Sequence, residues 1–303
     1  METEQISTPL RKRHLLAAAL HAVAFVVMIV LVVGVDTKTR DSMEKKVYRL
    51  KVQPPPPNDG TLTNFTVSDL NTPYALSAFP NTINPVYGTI AFFGLTSCAH
   101  IFYGLSPAYT KSYHENRNPF RWLEYAITAT LMVLLIALNA GVQTIEAVIP
   151  ILVATAVMQG CGFIVEAELA KQVPNYQVAL MATICGWGLL LAVFVPILFG
   201  YWTALDDFNQ QYVNSDGRPL KDKNGRDIAI PGFVAFIVFF QLAGFMLFGV
   251  TQLIQYRRRS ASGNDMRTPF QKAERMYITL SLVTKLLLAG GIGWGVLSRA
   301  SLK

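Results

Sequence analysis

The chain has 303 residues and a formal net charge of +7; 52% of its residues are apolar and only 15% are charged, and its mean hydropathy is +0.35. A soluble domain carries about 25% charged residues, so this composition excludes a disordered chain and argues against a water-soluble enzyme. Cys98, Cys161 and Cys185 sit singly inside apolar runs, which excludes a disulfide scaffold and gives no metal cluster. The basic residues flank apolar segments instead of forming a groove, so the expected partner is membrane lipid and not nucleic acid.

A bilayer core takes about 20 apolar residues in a helix, and seven segments have that length. The first covers residues 15–35. It is too long for a signal-peptide core and no small-x-small cleavage site follows it, so it reads as a true span. After it comes a long polar loop, 36–83, with four prolines at 54–57 and a glycosylation sequon at Asn64-Phe65-Thr66. The next spans are 84–105, the most polar of the set, 119–141, 145–165 and 178–202. A second long loop, 203–231, holds Lys223-Asn224-Gly225, a turn that suits a β-hairpin. Spans 232–253 and 273–297 complete the set. Thr8-Pro9, Asn118-Pro119 and Thr268-Pro269 each place a capping side chain before a proline at a helix start. No internal repeat of the kind transporters carry is visible.

The expected fold is an all-α integral membrane protein, one seven-transmembrane-helix bundle over residues 1–303. Basic residues are almost evenly divided between the two sides, so placement decides the orientation. Arg11, Lys12, Arg13, Lys111, Arg117, Arg121, Lys171, Arg257, Arg258, Arg259, Arg267, Lys272 and Arg275 abut span ends in short segments, whereas most of the others lie in the two long loops. Short flanking segments carry the signal. The N-terminus is therefore expected to be cytoplasmic, the C-terminus extracellular, and the loops 36–83 and 203–231 extracellular.

Lys285 is the only lysine inside a span, twelve residues from each end of 273–297. A charge at mid-membrane costs about 2.5–3.5 kcal/mol on insertion scales, and a lysine this deep does not snorkel easily. Two chemistries justify it: pairing with a carboxylate, or covalent use of the amine, which condenses with an aldehyde to a Schiff base. The best carboxylate is Glu124, one and a half turns into the third span. Both helices enter from the same side, Lys285 lies deeper by roughly 9 Å, and a helical side chain leans toward its own N-terminus, so the lysine leans toward the glutamate. Arg121 and Thr128 share the Glu124 face, and Ser281 shares that of Lys285. The pair could serve only to fix helix register, and Ser281 could bond back to its own backbone; the spacing alone leaves both open.

A lone lysine in the seventh of seven spans, with Arg121, Trp122, Glu124, Tyr125 and Thr128 in the third, resembles the microbial-type retinal proteins. The inverted orientation, the long first loop, and the runs NPFRWLEY and SLVTK resemble the heliorhodopsins more closely, over about residues 10–300. The resemblance implies all-trans retinal bound covalently to Lys285 as a protonated Schiff base, with Glu124 as counterion and Ser281 and Thr96 as neighbours. It also implies a polar cavity lined by His21 and His100, with Arg121 beside it, and a homodimer. A slot for the polyene needs aromatic walls; Trp187, Phe236, Phe239 and Phe240 can supply them. Trp294 is expected to be an interfacial anchor, and Gly291 with Gly295 a site of close helix contact.

The outer half of the third span, ALNAGV, carries no acid, and Asn139 is its main polar group. Glu146 and Glu166 are relay candidates but lie near the ends of the fourth span. This favours a slow photoreceptor acting on an unknown signalling partner through a shape change. A light-driven or light-gated ion conductor, and a retinal-free transporter or structural protein, are the alternatives.

Overall fold

The computed structural model describes residues 8–41, 44–52, 74–212 and 232–300. In chain order these form α1 (Thr8–Gly34), α2 (Thr37–Asp41), β1 (Lys45–Val52), β2 (Tyr74–Ile83), α3 (Pro85–Leu105), α4 (Pro107–His114), α5 (Pro119–Asn139), α6 (Ile145–Leu169), α7 (Tyr176–Tyr212), α8 (Gly232–Ala261) and α9 (Arg267–Ala300). Seven of these helices are long and apolar enough to cross a membrane: α1, α3, α5, α6, α7, α8 and α9. The fold is a seven-helix membrane bundle.

Local sequence sets the helix starts. Asn84 Oδ1 accepts from Val86 N at 3.0 Å ahead of Pro85, and Asn118 Oδ1 accepts from Arg121 N at 3.0 Å ahead of Pro119. Each side chain satisfies an N–H that has no partner in the first turn, and the proline has none to lose. The expected cap at Thr268 sits elsewhere: α9 begins at Arg267, and Asp265 Oδ1 accepts from the N–H groups of Arg267 and Thr268 at 3.0 Å each. At the end of α5, Gly141 takes φ +92° and Val142 N donates to Ala137 O at 2.9 Å, which reverses the chain into α6.

Two helices outrun their apolar segments. α7 continues ten residues beyond the expected end at 202, because 203–212 holds no glycine or proline to stop it. α8 runs to Ala261, and its Arg259 is buried instead of flanking a membrane surface. The Arg259 guanidinium donates to the carbonyls of Leu169 and Lys171 at 3.1 Å and Gln172 at 3.3 Å, and also to that of Gly263. It thereby satisfies the exposed C-terminal carbonyls of α6.

The loop after α1 is not plain coil. It contains a two-stranded antiparallel sheet with Lys45 opposite Ile83 and Val52 opposite Tyr74, an addition to the all-α expectation. The register shifts between Lys46 and Tyr48, whose partners are Thr82 and Ala78. Pro80 falls in that interruption, where its missing N–H breaks no ladder bond. Tyr48 N donates to Gln143 O at 2.8 Å, tying the sheet to the α5–α6 turn. The prolines at 54–57, Asn64 and the turn at Lys223-Asn224-Gly225 lie outside the described residues.

α5 packs against α3, α6, α7 and α8. Its half nearer the sheet buries Met132, Val133, Leu135, Ile136 and Ala137 in one cluster with Phe92, Phe93, Val193 and Ile197. Leu16, Val23, Val153, Leu191 and Phe199 point outward and are exposed, as lipid-facing positions require. The polar groups are gathered inside the bundle, nearer the end that carries α4.

Candidate functional site

Lys285 on α9 is 2% exposed and Glu124 on α5 is 9% exposed. Lys285 Nζ donates to Glu124 Oε1 at 2.6 Å and to Thr96 Oγ1 at 2.5 Å. Thr96 on α3 and Thr128, one turn on from Glu124, donate to the same oxygen at 3.0 and 2.9 Å. A charged pair this deep persists only when its remaining hydrogen-bonding capacity is met, and the two threonines meet part of it. The Tyr125 ring lies 5.6 Å from the ammonium. Lys285, Glu124, Thr96 and Thr128 therefore meet at one point, drawn from three helices.

A cavity opens beside this point. Ser281, Thr284 and Lys285 form its α9 wall, and Trp122, Tyr125, Thr128 and Met132 its α5 wall. Trp187 closes it from α7, and Phe245 and Phe248 from α8. A Cβ on Gly162 would collide with the Trp122 ring, and one on Gly249 would lie 2.8 Å from the Trp187 ring, so each ring packs closely against a glycine.

Phe236, Phe239 and Phe240 are not among the lining residues, contrary to expectation. Phe239 and Phe240 are 43% and 51% exposed. The reason is depth. α8 and α9 run antiparallel, with Phe233 against Gly295, Ile237 against Gly291 and Gly244 against Thr284. Lys285 is thus level with the stretch just before Phe245, and the three expected phenylalanines sit one to two turns further toward the sheet. Gly291 and Gly295 make their close approach to α8 of the same chain. Trp294 is exposed.

His21 and His100 stack at 5.5 Å between ring centroids. Both are buried; His100 lies one turn from Thr96 on α3. Both nitrogens of His21 and Nε2 of His100 find no hydrogen-bond partner among the described residues. The expected histidine cluster is present, but it has a third member. His14, two turns before His21 on α1, lies 3.1 Å from His100 between Nδ1 atoms, and its Nε2 lies 2.8 Å from Tyr109 Oη.

Arg121 does not face those histidines. It is buried against Glu166 of α6 and Glu274 of α9, bonded to both carboxylates. Its guanidinium carbon sits over the Tyr277 ring at 4.2 Å and the Trp122 ring at 4.9 Å. Asn118 N and Trp122 Nε1 also donate to Glu166, at 2.6 and 3.1 Å. Asn118 Nδ2 and Tyr109 Oη donate to Glu274, at 2.8 and 3.1 Å. Tyr109 belongs to α4, outside the spans, and burial holds its hydroxyl well above the usual tyrosine range, so it remains a neutral donor.

Glu274, His14 and Tyr109 were missed by sequence reading, though two of them left a signal. Glu274 is eleven residues before Lys285, three helical turns on the same face. His14 is seven before His21, again on one face. Tyr109 left none, because its role depends on α4 folding across the end of the bundle.

A family model described as Heliorhodopsin matches residues 10–200 and 221–297. The chain belongs to the heliorhodopsin family. No curated protein matches it. Heliorhodopsins are retinal-binding rhodopsin photoreceptors, so this heliorhodopsin is a multi-pass membrane photoreceptor with a retinal chromophore, of a light-sensing class and not a classical enzyme family.

Proposed function

We propose that this heliorhodopsin holds all-trans retinal as an imine on Lys285, with Glu124 as counterion, and signals light by a shape change without efficient ion pumping. One observation carries the reading: a buried primary amine, bonded to a single carboxylate, stands at the wall of a cavity lined by Trp122, Trp187, Phe245 and Phe248. The residues fit the group, since a long polyene needs an apolar aromatic slot and Gly162 and Gly249 let the two indole rings pack closely. When bound, retinal supplies visible absorption and a double bond that isomerises in light.

The chain's own residues supply the rest. Glu124 Oε1 balances the positive nitrogen, and the Thr96 and Thr128 hydroxyls hold that oxygen in place. Moving the nitrogen off Oε1 breaks the bond that holds the pair together, which frees a proton within the site. His21, with both ring nitrogens unpartnered among the described residues, and His100, with Nε2 unpartnered, are nearby polar groups on the α4 side. Toward the sheet the α5 side chains are mostly apolar, and Asn139 Nδ2 bonds back to Leu135 O at 2.8 Å. A pump needs groups that exchange protons on both sides of its switch; among the described residues, α5 offers no titratable one beyond Thr128 on the sheet side. We place the N-terminus and the α4 end in the cytoplasm, and we expect a homodimer in the membrane that acts on a signalling partner.

Purification with all-trans retinal is expected to give a visible absorption band that Lys285→Ala abolishes; a band surviving that substitution overturns the attachment site. Glu124→Gln is expected to shift the band to longer wavelength, because the ground state loses the negative charge beside the cationic nitrogen. An unshifted band would put the counterion elsewhere. In a voltage-clamped cell no steady light-dependent current is expected, and a robust one would replace the sensor with an ion conductor.

A further inference from the structure

Two buried side chains, His14 and Tyr109, join the histidine pair to the carboxylate cluster through three contacts in an unbroken line. His100 Nδ1 meets His14 Nδ1 at 3.1 Å, His14 Nε2 meets Tyr109 Oη at 2.8 Å, and Tyr109 Oη meets Glu274 Oε1 at 3.1 Å. The far end fixes the direction of every bond. Glu274 is a carboxylate held by Arg121 and can only accept, so Tyr109 donates to it. The Tyr109 oxygen must then accept from His14, which places the His14 proton on Nε2. His14 Nδ1 is left bare and must accept, which places the His100 proton on Nδ1. The His100 Nε2 lone pair is therefore free, buried, and has no partner among the described residues. It sits one turn from Thr96, which touches both Lys285 and Glu124.

We propose that His100, His14, Tyr109 and Glu274 form a proton relay that carries a proton from the Lys285–Glu124 site to the carboxylate cluster at the α4 end of the bundle. The proposal rests on the retinal reading for its source of protons. The steps balance. A proton released at the site reaches His100 Nε2 through water, which suits a buried polar gap. The Nδ1 proton of His100 passes to His14 Nδ1, the Nε2 proton of His14 passes to Tyr109 Oη, and the Tyr109 hydroxyl proton passes to Glu274 Oε1. Each intermediate gains one proton and loses one. The acceptor suits the task, because Glu166, Glu274 and one guanidinium together carry a net charge of −1 and one added proton neutralises them. Asn118 and Arg121 hold Glu274 still while it changes state. The relay ends inside the protein, so it stores a proton near the surface without moving one across the membrane.

The test uses the full chain loaded with retinal and light-minus-dark infrared spectroscopy. A protonated-carboxylic-acid carbonyl band is expected to rise after the flash and to vanish in Glu274→Gln. Tyr109→Phe and His14→Gln are expected to slow its rise by about a hundredfold, the scale of a lost proton-transfer group, while leaving the dark visible band in place. His14→Gln keeps hydrogen-bonding capacity but cannot shuttle a proton, so a purely structural His14 would leave the rate unchanged. A band that is absent, or that rises at the native rate in either variant, overturns the relay. Nitrogen NMR of the native chain tests the polarity without any variant: Nε2–H on His14 and Nδ1–H on His100 are expected, and the opposite tautomers overturn the proposal whether or not pigment forms. Matching tautomers in a chain that forms no pigment sink the retinal reading and leave the assigned bond directions standing.

Discussion

Arg121 holds two carboxylates from two other helices, and all three side chains are almost fully buried. Such a group is weak evidence of net stability when intact, because each ion loses its hydration on burial. Removing one partner is a different matter, since it strands like charges in a poor solvent for them. Arg121→Gln leaves Glu166 and Glu274 facing each other with no cation between them. It is expected to destabilise the bundle by about 3–5 kcal/mol, read as a lower thermal midpoint of the purified chain. Adding Glu166→Gln removes one of the opposed charges, and the double variant is expected to recover part of the loss. A native midpoint in the single variant would mean that the carboxylates find another partner or a proton. The sequence shows why the cluster was hard to foresee. Arg121, Glu166 and Glu274 all lie near span ends, where a charge normally snorkels to water, and nothing local distinguishes a snorkelled residue from a buried one. Lys285 was easier, because a lysine at mid-span has no water within reach.

At the scale of elements, the start of α9 sets where Lys285 stands relative to α5 and α8. Asp265 caps that start through two backbone N–H groups, and the Thr268 N–H in particular holds its carboxyl below the usual range. A carboxyl depressed by folding stabilises the cap above its unfolded value near 3.9, and that contribution is lost as the pH falls through the folded value. Asp265→Ala is expected to fray the first turn of α9, seen as faster amide exchange at Arg267 and Thr268 with no change at Lys285. Unchanged exchange at those amides would show that the turn holds without the cap. The seven spans were legible because length and apolarity are local properties. Thr96, Thr128, Glu124, His21 and His100 were legible for a related reason, since polar groups in apolar runs stand out. The depth of one helix against its antiparallel neighbour is not local, and that is why Phe236, Phe239 and Phe240 were chosen where Phe245 and Phe248 line the cavity. The sheet was hidden differently. RLKV in β1 does alternate polar and apolar, but the run is short and its partner lies beyond the prolines at 54–57.

At the scale of the whole molecule, the two ends of the bundle differ in how their charge is disposed. Arg121 and Arg259 are buried against protein acceptors, so neither belongs in an orientation count. Arg11, Lys12, Arg13, Lys111, Arg117, Lys171, Arg257, Arg258, Arg267, Lys272 and Arg275 remain, all exposed at the α4 end. The opposite end carries the sheet, which begins Lys45-Lys46, and most of its basic residues belong to the two long loops, with Lys38 and Arg299 nearer span ends. Short basic segments resist translocation, and longer loops cross largely regardless of charge. The α4 end is therefore expected in the cytoplasm, with the relay's Glu274 on that side. Single cysteines test this in intact cells with a membrane-impermeant thiol reagent. Asn264→Cys, in the exposed α8–α9 turn, is expected to react only after the membrane is opened, and Lys38→Cys, in α2, before it. Cys98, Cys161 and Cys185 lie within spans, where a charged reagent does not reach, and supply the background. The reverse pattern of labelling would turn the molecule over and place the buried Glu274 store on the extracellular side.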